Sequence, residues 1–319
     1  NTLFIAVLNI LFLLVLKEGI EGYLEAYIIA NVFTAIYAII AGKGYKSFCF
    51  LEIDKKLLLQ MIKYSIVLIP NSFMWWIMNS SDRIMVSSMV SVAANGIYAV
   101  SYKFPTLVST LTTIFNQAWS YSAIREEGTE DESEYNNKIF RVLIGIVMLI
   151  GIGLLTFMKP FLSVYVGKEY YSAWKYTPFL TVGCVYLTMA SFMATSYTVH
   201  KDSFGYLFSG TFGAIFNIAM NFILIPQVGV YGAAIATCIS YILVFVFRLF
   251  HTRKYIQYNI NNKEFIVGST ALVLSAGLMF IDNRFGFSLQ CVILAVTIYL
   301  LSDIWLPIVR KILKLKGRR

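Results

Sequence analysis

About ten apolar segments, each close to 20 residues long, fill the chain from Leu3 to Leu306 and leave only short polar connections between them. A helix of about 20 apolar residues reaches across the hydrocarbon core of a bilayer. Lipid offers no partner for backbone N–H and C=O groups, so a segment buried there satisfies them within itself, as a helix. The chain therefore reads as an all-α, polytopic membrane helix bundle, and the question is what crosses the bilayer or reacts inside it. Composition excludes the soluble alternative. Of 319 residues, 58% are hydrophobic and 13% charged, whereas soluble domains carry about a quarter charged residues.

The spacing predicts helices over 3–16, 23–42, 61–80, 95–120, 139–158, 176–198, 204–225, 230–250, 264–281 and 287–306. An even number of spans puts both ends on one side, and Lys and Arg decide which side is cytoplasmic. With the ends inside, the inner connections carry Lys43, Lys46, Lys55, Lys56, Lys63, Arg125, Lys138, Arg141, Lys201, Arg248, Arg253, Lys254 and Lys263, and the basic tail adds six more. The outer side holds only Lys17, Arg83, Lys159, Lys168, Lys175 and Arg284. Both termini are thus expected in the cytoplasm. The net charge of +9 is spent beside anionic lipid heads, which argues against nucleic acid as a partner. The acidic stretch Arg125–Lys138 reads as a solvated inner loop.

Chemistry is sparse. Cys49, Cys184, Cys238 and Cys291 are isolated and read as small core residues. His200 and His251 both lie near inner helix ends, so neither a metal cluster nor a buried acid/base pair of histidines is expected. No P-loop is present. The expectation is a non-enzyme without cofactor or metal, driven by a gradient or by consumption of its substrate.

Asn9–Tyr27 and Asn217–Tyr241 match in order and character: an Asn in an apolar helix, a turn with paired glycines (Gly19 and Gly22; Gly229 and Gly232), then a helix with small residues and tyrosine. Such internal symmetry marks transporter folds. If the repeat is real, four further spans precede this chain, which opens on Asn1 rather than methionine, and the intact protein has about 14 spans. The expected division is then 1–42 as the last two helices of a first lobe, 43–60 as a cytoplasmic linker, 61–252 as a six-helix lobe, 264–306 as an added helix pair and 307–319 as a basic tail.

Polar residues form stripes on several spans. Asn71, Trp75, Asn79 and Asp82, followed by Arg83, share a face of the third. Lys103, Thr106, Thr110, Thr113, Gln117 and Ser120 run along the fourth, and an ionisable residue within a span is a functional hypothesis. Pro70 and Pro105 would kink these two helices. Thr181, Cys184, Thr188, Ser191, Thr195 and Thr198 mark the sixth; Tyr206, Gly210, Gly213, Asn217 and Asn221 mark the seventh. For these two, helix packing and a cavity wall are equally open readings, whereas charge favours a water-filled cavity for the third and fourth. Arg83 and Lys103 are placed to bind the phosphates of an anionic substrate; alternatively, Arg83 pairs with Asp82. Trp75 and Trp76 would stack on sugar rings or anchor at an interface, and Trp119 reads as an interfacial anchor.

The stretch from Lys63 to Glu126 resembles the second lobe of polysaccharide biosynthesis flippases in the multidrug/oligosaccharidyl-lipid/polysaccharide exporter superfamily. The resemblance rests on YSIVLIPN at Tyr64–Asn71, NSSDR at Asn79–Arg83 and GIYAVSYKFP at Gly96–Pro105, with weaker similarity elsewhere, including GVYGAAIA at Gly229–Ala236. It implies a two-lobe, inverted-V transporter that carries an undecaprenyl-diphosphate-linked oligosaccharide between leaflets of a bacterial plasma membrane by alternating access. Membrane lipids are implied as surroundings, and polysaccharide polymerase and glycosyltransferases as partners. The substrate-binding residues expected on this basis are Arg83, Lys103, Asn71, Trp75, Asn79 and Gln117. Two other readings are weighed: a drug or ion antiporter of the same superfamily, which would rely on embedded acids, and a membrane polymerase or glycosyltransferase, which would need a large outer loop.

Overall fold

The computed structural model describes residues 1–43, 54–281, 283–307 and 310; these form helices joined by turns and short irregular segments, with no strand. Residues 44–53 of the expected linker and most of the basic tail lie outside the described residues. In chain order the helices are α1 (Thr2–Asn9, continued by a π-helical turn, Ile10–Val15), α2 (Gly19–Ala41), α3 (Lys55–Met89), α4 (Val92–Lys103), α5 (Pro105–Glu126) and α6 (Glu132–Tyr165). They continue as α7 (Thr177–Val199), α8 (Ser203–Val228), α9 (Val230–His251), α10 (Lys263–Leu278) and α11 (Arg284–Leu300), with short 3-10 turns at Lys168–Lys175 and Thr252–Lys254. Among the described residues six helices are long and apolar enough to cross a membrane: α2, α3, α6, α7, α8 and α9 with its 3-10 extension. α10 and α11, at 16 and 17 residues, are shorter, and α5 is diluted by its Thr, Ser, Asn and Gln stripe.

The predicted fourth span, 95–120, is not one helix. It divides at Phe104, and α5 starts at Pro105, where the missing N–H costs nothing because the first helical position has no intrahelical acceptor. Pro70, Pro160 and Pro226 lie inside continuous helices. Lys103 is therefore the last residue of α4, not a mid-span residue.

The chain forms two compact units, Asn1–Ile62 and Lys63–Arg319. In the first, α1 packs on α2, with Gly22, Ala26 and Ala30 buried. In the second, α7 is the central element, with 18 of its 23 residues buried, and it packs against α5, α6 and α9. Phe140, Ile144, Met148 and Ile152 of α6 meet Val185, Met189 and Phe192 of α7 and Val244 and Phe245 of α9 in one apolar cluster. Small residues let the helices approach, as membrane interfaces require: a Cβ on Gly183 would lie 3.0 Å from the Cys238 Cα, and one on Gly151 would strike Val185. The two matched glycine turns share a backbone shape. Gly19 and Gly229 both have φ +61°, a conformation that glycine adopts without a Cβ penalty, and Gly22 and Gly232 each sit where a Cβ would collide with the preceding segment.

Trp119 is not an interfacial anchor. It is 4% exposed and stacks on Phe192 at 4.9 Å. Cys184 and Cys238 are buried as small core residues and Cys291 is half-buried.

Candidate functional site

The polar stripes meet in two separate places within the second unit. Near the C-terminal ends of α5, α7 and α9 and the N-terminal end of α8, a cavity of about 380 Å³ is lined by Trp75, Thr113, Asn116, Gln117, Ser120, Ser191, Ala194, Thr195, Thr198, Tyr206 and Arg248. α5 and α7 contribute at i, i+3, i+4 and i+7, the spacing that puts side chains on one face, while α3, α8 and α9 supply Trp75, Tyr206 and Arg248. The lining holds no carboxylate. Its one cation, Arg248, is fully buried. The guanidinium donates from Nε to Ser209 Oγ at 3.1 Å and from Nη1 to the Ala190 carbonyl at 2.9 Å. It lies 5.2 Å from the Trp75 ring centre and 5.4 Å from that of Tyr206, close enough for cation–π attraction. Among the described residues it forms no ion pair, and Nη2 has no hydrogen-bond partner.

Two more buried polar atoms beside the cavity are unpartnered: Asn116 Oδ1 and Trp75 Nε1. Asn71, 4% exposed, also has a free Oδ1. Gly210 makes room for this pair, since a Cβ there would lie 2.8 Å from Asn71 Oδ1 and 3.3 Å from Trp75 Nε1. Native interiors rarely leave such atoms without partners, so their clustering here points to a site built for a polar ligand.

The second place is a buried network around Asp82, which is fully buried. Its Oδ2 accepts from the Tyr98 hydroxyl at 2.6 Å and the Thr237 hydroxyl at 3.4 Å. Its Oδ1 accepts from the Arg83 backbone N–H at 2.8 Å. The Arg83 side chain does not pair with Asp82 but lies over the Tyr102 ring at 5.3 Å. Tyr102 and Tyr241 share a hydrogen bond of 2.5 Å, Tyr241 donates to Asn79 Oδ1, and Asn217 receives Ser81 and Asn221. Among the described residues no three His, Cys, Asp or Glu side chains gather as a metal-binding group. The oxygens of Asp82, Asn221 and Thr237 are the hard type that alkali and alkaline-earth cations use.

Of the residues expected from sequence, Trp75 and Gln117 line the cavity and Asn71 stands behind Trp75. Asn79 belongs to the Asp82 network. Arg83 and Lys103 are exposed and line no part of this cavity. The two readings left open for α7 both hold, in different halves. Thr188 packs inward and shares a 3.0 Å hydrogen bond with Thr112, while Ser191, Thr195 and Thr198 face the cavity. Arg248 was assigned to an inner connection on sequence grounds. The signal that identifies it is helical register, because it falls on the buried face of α9 with Thr237, Tyr241 and Val244.

An uncharacterized membrane protein of Methanocaldococcus jannaschii is 27% identical over 150 residues, 46% of this chain and 29% of its own length. Among solved structures, the lipid II flippase MurJ in an inward closed conformation superposes with a TM-score of 0.65 and 19% identity, over 95% of this chain and 65% of that one. A multidrug resistance MATE family transporter of the MOP superfamily, in an outward-facing conformation, and a MOP superfamily transporter from Pyrococcus furiosus each give a TM-score of 0.50 over 69% of this chain and 52% of theirs, at 19% and 20% identity. The chain thus spans about two thirds of the MurJ structure and less than a third of the curated relative. The fold is the one these structures share, and the sequence matches the polysaccharide biosynthesis protein family over residues 1–175, more than half of its length, so the chain belongs to that family.

Proposed function

We propose that the protein, in its full-length form, is a flippase that moves an undecaprenyl-diphosphate-linked oligosaccharide from the inner to the outer leaflet by alternating access. The observation that carries this reading is the Arg248 cavity, a buried cation with a free donor among hydroxyl and amide groups and no acid. Such a lining suits a hydroxylated, negatively charged ligand and disfavours a cationic drug, because an uncompensated buried charge of the same sign costs several kcal/mol, roughly, per ion. Trp75 offers a ring face for a sugar, Gln117 and Asn71 offer amides, and Arg83 and Lys103 remain as the cations for the diphosphate. Asn79, exposed and accepting from Tyr241, completes the substrate-binding set. The bacterial plasma membrane, cytoplasmic termini, and cooperation with polymerase and glycosyltransferases belong to the same proposal.

Complementation tests it. The full-length protein should restore surface polysaccharide in a flippase-deficient bacterial strain and clear lipid-linked oligosaccharide from the inner leaflet. In that assay Lys103→Ala and Arg83→Ala should each lower surface polysaccharide several-fold while membrane insertion persists; normal polysaccharide in both variants would remove their diphosphate role. Intact translocation in a host lacking the protein, with glycan chains arrested at a single repeat, would replace the flippase with a polymerase.

A further inference from the structure

We infer that the Arg248 cavity reads a carboxylate on the glycan itself, so that the transported saccharide contains an acidic sugar of the hexuronic type. The inference rests on the flippase reading for its context and on the geometry of Arg248 for its content.

Three observations select the ligand. First, the cavity holds one positive charge and no negative one. A diphosphate carries at least two negative charges and would leave one uncompensated in the cavity, whereas a carboxylate matches the charge exactly once. Second, the guanidinium is only partly available. Nε is held by Ser209 and Nη1 by the Ala190 carbonyl, which fixes the plane of the group and leaves Nη2 as its free donor. Arg forks carboxylates and phosphates alike; with one prong already inside the protein, the remaining nitrogen suits a single acceptor oxygen better than the several that a diphosphate presents. Third, of the two other unpartnered atoms beside the cavity, Trp75 Nε1 is a second donor and Asn116 Oδ1 is an acceptor. An Nη2 donor and an amide acceptor across one cavity fit a group that accepts at one point and donates at another. A sugar carboxylate with its neighbouring hydroxyls has that pattern; a bare phosphate, without a donor when ionised, does not.

The remaining lining is consistent with a saccharide. Thr113 and Ser120 each spend their hydroxyl proton on their own helix, on the Ser109 and Asn116 carbonyls, and so present oxygens that accept from sugar hydroxyls. The Trp75 ring stands beside the guanidinium as an apolar wall. Ser209 and Ala190 are positioning residues in this arrangement, since they act through Arg248.

The test uses the full chain, purified in detergent, with soluble probes. Cellobiouronic acid and cellobiose differ only in the carboxylate, and inorganic pyrophosphate represents the alternative source of negative charge. Binding is read by tryptophan fluorescence and by thermal stabilisation. Cellobiouronic acid should bind at least tenfold more tightly than cellobiose, pyrophosphate should not compete, and Arg248→Gln should reduce the preference to near unity. Arg248→Lys, which keeps the charge, should retain part of it and shows whether loss in the Gln variant follows from charge or from misfolding. Equal binding of the two disaccharides, competition by pyrophosphate, or no binding of the acidic probe overturns the inference. Each of these results leaves the flippase reading to stand or fall on complementation alone, because a flippase for neutral glycans would still restore export.

Discussion

Among the described residues the second unit buries three charged side chains; Glu264 is paired with Arg141, and the other two, Asp82 and Arg248, are treated in opposite ways. Asp82 has its hydrogen-bonding needs met by two hydroxyls and a backbone N–H. Arg248 has two nitrogens committed, a third free, and a cavity in front of the free one. A buried ion that the protein has fully solvated is part of its structure, because removing it strands the groups that were built around it. A buried ion left with unused donors has its remaining partner outside the protein. The contrast separates the residues that hold the helices together from those that, on the flippase proposal, meet a substrate.

The sharpest way to break this comparison is Arg248→Met. Replacing a buried charge by an apolar side chain of similar length is often neutral or stabilising. The variant should therefore keep or raise its melting temperature in detergent while export of lipid-linked oligosaccharide falls at least tenfold. A matched fall in stability and export would return Arg248 to the class of structural ions.

Asp82→Ala should do the reverse in its first effect. The Tyr98 and Thr237 hydroxyls lose their buried acceptor, and each stranded donor costs about 1–3 kcal/mol. The melting temperature should drop clearly, and Asp82→Asn, which keeps an acceptor, should recover part of the loss. An unchanged melting temperature in the Ala variant would show that Asp82 is not a structural anchor.

Gly210→Ala tests the Trp75 wall of the Arg248 cavity with a smaller step. The added Cβ meets the ends of two side chains, Asn71 Oδ1 and Trp75 Nε1, so the helices need not move but the pair must shift. Export should fall a few-fold with a changed tryptophan emission and little loss of stability. Wild-type emission would mean that the pair has room elsewhere.

How much of this was legible in the sequence depends on which physical signal each feature uses. The helices were legible in outline because apolar length and connection chemistry act locally; the break at Phe104 escaped, since Pro105 reads equally as a kink or a helix start, and so did the extension of α6 back to Glu132, into the acidic stretch expected as a loop. The shared face of Asn71 and Trp75 was legible from helical spacing. Arg248 was not, because a cation three residues from a helix end beside Arg253 and Lys254 satisfies the rule for membrane orientation, and that rule is blind to whether a side chain turns inward. Lys103 erred the other way: its place inside a predicted span made it conspicuous, whereas its side chain is exposed at the end of α4. Register on the facing helices, not charge content, decides which cations face a cavity.

The smallest effect lies outside the spans and extends the comparison to an anion that does have a cation beside it. Asp202 precedes α8 and caps it, accepting from the Gly205 N–H at 2.8 Å, from Lys254 Nζ at 2.9 Å and from the Tyr255 hydroxyl at 2.9 Å. Partial burial pushes its carboxyl up, but the Lys254, Gly205 and Tyr255 donors outweigh it and hold it below its ordinary value of 3.8. A carboxylate lowered on folding stabilises the fold above its unfolded pKa and loses that contribution as pH falls through its folded value. The window is therefore below about pH 4. Lys254 is half exposed, so solvent screens the pair and its worth is about 1 kcal/mol or less. Asp202→Asn should lower the melting temperature slightly at neutral pH and flatten its decline below pH 4. A variant that follows the wild-type acid limb would place the acid sensitivity on other carboxylates and leave Asp202 as a helix cap alone.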